Sequence, residues 1–220
     1  GIPRCCGMSM FEHWAVCGAS RDAGYIYPQA DSASAVTNRN LAWGAINARK
    51  NGNECSVYAW AGATSVSFLT NTNGLPKLLN DSPKQLYVVS FGYNETDKVG
   101  TPADINDTTT MYGALNKIVT DIKTHAPQSL IIGLFRFADG ISDEQYRAPW
   151  ECAKYIANLH GYPVANWGDS KVHNDWLFGS DHRYGGHPTA QGYSLMANVW
   201  DDLFADCVER NWEYFSHYVG

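Results

Sequence analysis

The chain has 220 residues, a formal net charge of −6 and aromatic side chains at 13% of its positions. That length suits one domain with a sizeable core, and an acidic chain without a Lys/Arg cluster suits no nucleic-acid partner. It contains no run of about 18 apolar residues, the length a membrane-spanning helix needs, and its first residues lack the charged-then-apolar layout of a signal peptide.

No membrane partner is therefore expected, and the glycine at position 1 predicts a processed product or a domain of a larger parent polypeptide. Residues 1–12 are expected to be irregular. "HWAVCG" (13–18) follows as a short apolar run ending in glycine, the pattern of a buried strand. "NLAWGAINARKNG" (40–52) places Leu41, Ala45 and Ala48 at helical spacing and stops on Asn-Gly. "CSVYAWAG" (55–62) predicts a second strand and a helix from Ala63, and "QLYVVSFG" (85–92) predicts a third strand. Capping residues in "TPADINDTTT" (101–110) precede a helical face of Met111, Leu115, Ile118, Val119 and Ile122. "SLIIGLFRF" (129–137) predicts a buried strand, Cys152, Tyr155, Ile156 and Leu159 a helical stripe, and "YPVANW" (162–167) a shorter strand. Tyr193, Met196, Ala197, Trp200, Leu203, Phe204, Cys207 and Val208 mark one long C-terminal helix.

Strands that are apolar on both faces and alternate with helices imply a parallel sheet covered on each side. Of the six cysteines, Cys17 and Cys55 fall in strands and Cys152 and Cys207 on apolar helix faces. Buried free thiols fit that distribution better than a disulfide framework; the adjacent Cys5 and Cys6 are the least constrained.

Ligands of open α/β sheets bind beyond the carboxyl ends of the strands, so the residues that follow each strand carry the functional argument. "VCGASRDAGY" sets Ser20 on the turn after the first strand, where a helix N-terminus favours a developing oxyanion. Gly62 after the second strand has an unobstructed N–H, and Asn94 after the third has an amide N–H₂. His187, in "YGGHPTAQGYSLMA" (184–197), stands just before the last helix as a candidate base. Taken singly, a capping serine, a turn glycine and a turn asparagine are ordinary structural residues; together they form a hydrolytic set.

In these four blocks the sequence resembles the SGNH (GDSL-type) hydrolase superfamily. "CGASRDAGY" is similar to its serine block, "WAGATS" to its glycine block, "SFGYNETD" to its Gly-x-Asn block and "GGHPTAQGYSLMA" to its histidine block. The match runs from about Trp14 to Trp200. The resemblance implies an SGNH hydrolase fold, a flavodoxin-like three-layer α/β/α sandwich on a mainly parallel five-stranded sheet, as a single domain over 1–220. It also implies a serine esterase with no metal and no organic cofactor. Ser20 would be the nucleophile and His187 the general base, with the Ser20 and Gly62 N–H groups and the Asn94 side chain as oxyanion hole. The "GDS" at 168–170 comes too late in the chain to be the serine block.

The sequence departs from the family pattern twice. Ala19 stands where the first block has Asp, and Tyr184 stands where an Asp three residues before His187 would orient the imidazole. Asp181 is expected to take that place, because two glycines let the loop fold back. Asp175, Asp169 and a backbone carbonyl are the alternatives. His173, Asp175, Asp181, His182 and His187 crowd one stretch, but none has the i, i+4 spacing of a zinc helix and no Cys-x-x-Cys accompanies them. No metal is expected, and His13 reads as a surface histidine.

"NET" (94–96) is formally a glycosylation acceptor, which an oxyanion-hole asparagine could not serve; a bacterial or viral source is expected rather than a eukaryotic secretory one. Tyr25, Trp60, Tyr93 and Tyr184, with Tyr27 nearby, flank the motifs and can stack on sugar rings, and no long apolar lid suits an acyl chain. The expected reaction is hydrolysis of short-chain acyl esters, O-acetyl groups on a carbohydrate foremost. The ending "DLFADCVERNWEYFSHYVG" (202–220) is similar to SGNH domains of bacteriophage tail and prophage proteins, implying virion association and a host-surface glycan. The competing readings are a glycan-binding domain that keeps the fold without catalysis, and a flavin or nucleotide binder; the latter is disfavoured because the first strand-to-helix turn has no Gly-rich phosphate loop.

Overall fold

The computed structural model describes residues 7–27, 34–95, 97–137, 144–170 and 182–219. The chain runs through β1 (His13–Gly18), α1 (Ser20–Ala23), β2 (Tyr25–Ile26), β3 (Val36–Thr37), α2 (Trp43–Asn51), β4 (Glu54–Ala59), α3 (Ser65–Phe68), α4 (Leu75–Asn80) and β5 (Leu86–Val89). It continues through α5 (Met111–His125), β6 (Leu130–Phe135), α6 (Arg147–His160), β7 (Val164–Asn166), β8 (Arg183–Tyr184), β9 (His187–Pro188), α7 (Ala190–Arg210) and α8 (Trp212–Val219).

The main sheet has five strands in the order β4-β1-β5-β6-β7, and every pairing is parallel. Because side chains alternate along a strand, each strand feeds two cores. Trp14, Val16, Leu86, Val88, Leu130 and Ile132 pack on one face with Trp43 of α2 and with Trp200, Leu203 and Phe204 of α7. Ala15, Cys17, Tyr87, Val89 and Ile131 pack on the other with Ile118 and Ile122 of α5 and Cys152 and Ile156 of α6. The result is the expected α/β/α architecture. Both faces are covered, so the strands need no polar side, which explains why they read as continuous apolar runs.

Thr110 caps α5 by accepting from Gly113 N–H, and Thr189 caps α7 by accepting from Gly192 N–H, each at 3.2 Å. The predicted C-terminal helix is two: it breaks at Asn211, and α8 folds back so that Phe215 packs on Phe204 with ring centroids 5.8 Å apart. In α6 the expected stripe is half core. Cys152 and Ile156 are buried, while Tyr155 and Leu159 are 39% and 53% exposed. Helix α4 and the short pairs β2–β3 and β8–β9 were not foreseen. Cys17, Cys55, Cys152 and Cys207 are free thiols, as expected, while Cys5 and Cys6 lie outside the described residues.

Candidate active site

The carboxyl end of β1 delivers Ser20 to the first position of α1. The turn is tight because Gly18 has no side chain: a Cβ there would stand 2.1 Å from Asp22 Oδ2. That oxygen accepts from Ala19 N–H at 3.1 Å, and Oδ1 accepts from Trp43 Nε1 at 2.9 Å. A carboxylate three residues beyond position 19 thus braces the backbone where Ala19 offers no side-chain group. Burial pushes the Asp22 carboxyl up to about 6 against the pull of these hydrogen bonds.

His187 arrives from the other end of the chain on a two-residue hairpin. Tyr184 pairs with His187 and Arg183 with Pro188, leaving Gly185 and Gly186 as the loop with φ of +57° and +80°. Two consecutive positive φ values are the type I′ turn, which side chains disfavour. A Cβ on Gly185 would in addition meet the Tyr27 ring at 2.5 Å.

The hairpin places His187 Nε2 3.0 Å from Ser20 Oγ and Nδ1 3.1 Å from the Gly185 carbonyl. A carbonyl only accepts, so Nδ1 carries the hydrogen and Nε2 presents its lone pair to the serine hydroxyl. The two glycines therefore do more than let a loop return: they aim a main-chain acceptor at the imidazole. Asp181 and Asp175 lie outside the described residues. Asp169 accepts from Asn166 Nδ2 at 3.3 Å, inside the clasp that Asn166 makes with the Phe137 backbone. The "GDS" at 168–170 belongs to this turn. His173 also lies outside the described residues, and the His182 carbonyl accepts from Thr189 N–H.

Burial holds the His187 imidazole below its ordinary value, the Arg21 charge adds to this, and the Gly185 hydrogen bond opposes it. Tyr25 stands edge-on to the imidazole at 4.8 Å between centroids, and Tyr27 lies between Tyr25 and Tyr184. The Tyr193 hydroxyl fixes this wall by donating to the Tyr25 carbonyl at 2.6 Å.

Ser20 and His187 open on a hollow of about 190 Å³ lined also by Tyr93, Asn94, Arg21, Arg136 and Tyr146. Asn94 Nδ2 donates one hydrogen to the Ala63 carbonyl at 2.9 Å, which ties the third motif to the second. Gly62, with φ of +79°, sits in the exposed turn just before Ala63. Trp60 stacks on Phe68 at 5.9 Å and packs against the core instead of lining the hollow. Tyr93 lines it, backed by Phe135 at 4.9 Å.

Sequence reasoning missed Asp22, Arg21, Arg136 and Tyr146. Arg136, the one charge in "SLIIGLFRF", was the visible signal: a cation directly after a strand that ends at the ligand-binding rim.

No curated protein matches the chain in sequence. Among solved structures the chain is similar to a carbohydrate esterase family 2 enzyme with a carbohydrate binding domain from Corynascus thermopiles (Myceliophthora fergusii). The TM-score is 0.64 at 19% identity, over 90% of this chain and 67% of that one. A family two carbohydrate esterase from Clostridium thermocellum in complex with cellohexaose matches with TM-score 0.63 at 16% identity, and the chain spans 64% of that protein while 90% of its own length is covered. The native aryl esterase of M. smegmatis matches with TM-score 0.59 at 16% identity, over 89% of this chain and 99% of that one. At these identities the likeness shows the fold. The GDSL-like Lipase/Acylhydrolase family model matches residues 19–195, from the Ser20 turn to the helix behind His187, and the chain belongs to that family.

Proposed function

We propose that the protein is a serine esterase that removes short acyl groups, O-acetyl foremost, from a carbohydrate. The observation that carries this reading is the contact between His187 Nε2 and Ser20 Oγ at 3.0 Å, with the tautomer set by the Gly185 carbonyl.

In the forward half-reaction Ser20 Oγ bonds to the acyl carbon while its proton passes to His187 Nε2. The carbonyl oxygen takes the negative charge, received by the Ser20 N–H at the start of α1, the second N–H of the Asn94 amide and the Gly62 N–H. Each such donor contributes on the order of 3 kcal/mol to the transition state. The C–O bond to the sugar then breaks, and the sugar oxygen leaves with the proton from Nε2. Water attacks the acyl-serine through the same imidazole, releasing carboxylic acid and restoring Ser20.

A hollow of about 190 Å³ favours a small acyl group, since sites for drug-sized ligands run from roughly 300 Å³ upward. Tyr93 within it, and Tyr25 and Tyr184 on the His187 side, are suited to a sugar face. The carbohydrate esterases among the structural matches favour the same substrate class. The phage-tail parent expected from the C-terminal stretch gains no support from these matches.

The test is turnover of p-nitrophenyl acetate and of a peracetylated sugar by wild type and Ser20→Ala. Turnover by wild type alone is the expected result. Equal rates, or sugar binding without turnover by either protein, favour the glycan-binding alternative.

A further inference from the structure

One buried carboxyl takes no part in the chemistry above. Glu95 directly follows Asn94 and is 3% exposed, and Ser65, the first residue of α3, is fully buried. Glu95 Oε1 accepts from both the Ser65 N–H and the Ser65 hydroxyl. Its other oxygen completes no hydrogen bond, while the Gly92 and Val66 N–H groups join Ser65 in opposing the burial that pushes the carboxyl pKa up. Taking a carboxyl out of water is costly, and the donors that offset that cost come chiefly from one place, the turn after β4.

That turn is tied to the Asn94 segment twice. Asn94 Nδ2 donates to the Ala63 carbonyl at 2.9 Å, and Ser65 donates back to Glu95. Two consecutive residues thus grip positions 63 and 65, one by donating and the other by accepting. A Cβ on Gly62 would meet nothing within 4 Å, so the position of its N–H depends on how the turn is anchored. The sheet does not supply that anchor. In the order β4-β1-β5 the first strand lies between the other two, so no strand pairing sets the spacing between the loops that carry Gly62 and Asn94. Resting on the esterase reading, we propose that Glu95 is a positioning residue for the oxyanion hole, fixing the Gly62 turn against Asn94 through Ser65 so that both donors converge on one oxygen. A displacement of about 1 Å in such a group can cost on the order of 10²-fold in rate.

The test measures kcat and KM of the full chain for p-nitrophenyl acetate, each rate referred to the folded fraction of the variant from its unfolding curve. Glu95→Ala should lower kcat by about 10²-fold with KM changed by less than about 3-fold. Glu95→Gln, which keeps an oxygen for Ser65, should recover kcat to within about 10-fold of wild type. Because Glu95→Ala and Asn94→Ala act on the same donor pair, their combined loss should fall short of the product of the single losses by about 10-fold or more. An alanine variant as active as wild type, a glutamine variant no better than the alanine variant, or losses that multiply would overturn the proposal and leave the esterase reading standing. Where Glu95→Ala does not fold, Ser65→Ala takes its place: it removes the hydroxyl donor, keeps the N–H and should lower kcat by about 10-fold, and an unchanged kcat overturns the proposal. A second arm needs no turnover: amide hydrogen exchange over residues 62–66 should quicken about 10-fold or more in Glu95→Ala and less than about 3-fold in Glu95→Gln. That pattern in a protein that hydrolyses no ester rejects the esterase and the oxyanion role with it, leaving a purely structural tie. Equal exchange in wild type and Glu95→Ala rejects the tie itself.

Discussion

His187 Nε2 and Ser20 Oγ lie 3.0 Å apart although 167 positions separate them in the chain. Three devices produce that proximity: the Gly18 turn braced by Asp22, the Gly185–Gly186 hairpin, and the Arg21 bond to Gly186 that joins the two.

Because Nδ1 already has the Gly185 carbonyl, the imidazole does not depend on an acid for its tautomer. Asp181→Asn should lower kcat/KM by less than about 10-fold, against roughly 10⁴ where an aspartate holds the histidine. A loss of the larger size would give Asp181 the orienting role expected from the sequence. Gly185→Ala should be far worse than Gly186→Ala. Both positions have positive φ, but only at Gly185 would the methyl also strike the Tyr27 ring, at 2.5 Å. Comparable activity for the two variants would contradict the hairpin argument.

As the proposed base, His187 must be neutral to accept a proton, and burial with the Arg21 charge holds its pKa below the ordinary 6.5. The acid limb of kcat/KM should therefore have its midpoint below pH 6.5, with activity rising through it and flat above. Arg21→Met removes a neighbouring cation and should move the midpoint up. A pH–rate profile with no shift, or a downward one, would remove Arg21 from the electrostatics of the base.

Asn94→Ala should lower kcat by about 10²–10³-fold with little change in KM, the signature of a donor used in the transition state. A rise in KM alone would make Asn94 a ground-state contact.

Asp22 makes stability depend on pH. In the folded chain its carboxyl keeps its proton up to about pH 6, whereas an ordinary carboxyl loses it near 3.8. Between those values the folded state binds more protons, so this contribution is fully present below pH 3.8 and is lost as pH rises through about 6. Two units correspond to about 3 kcal/mol at most. Urea unfolding at pH 4 and pH 7 should show the wild type losing more stability across that interval than Asp22→Asn does. Parallel losses would mean that Asp22 titrates alike in both states.

The five-stranded sheet was legible because it is buried on both faces: "LYVVS" and "LIIGLF" allow no amphipathic reading. The tryptophans show the opposite limit. Trp14, Trp43, Trp167 and Trp200 pack as one aromatic cluster under the Ser20 turn, and Trp60 stacks inward. Composition cannot separate such core rings from sugar-facing ones. Ser20, Asn94 and His187 could be singled out because each stands near the end of a strand or the start of a helix read from the sequence, and the structure lines one hollow with all three. A backbone carbonyl stood among the alternatives for orienting His187, but which one could not be read, because a main-chain carbonyl has no letter in the sequence; Gly-Gly announced a turn without saying where its oxygen would point. Helix α4 was hidden by its brevity, and the break at Asn211 by apolar spacing that continues across it.

The most direct measurement is covalent labelling with an organophosphonate, followed by mass mapping of the adduct. One adduct per chain on Ser20, formed at least about 10³-fold more slowly in His187→Ala, is the predicted result. Labelling at another residue, or at the same rate without the imidazole, would contradict the pairing of Ser20 with His187.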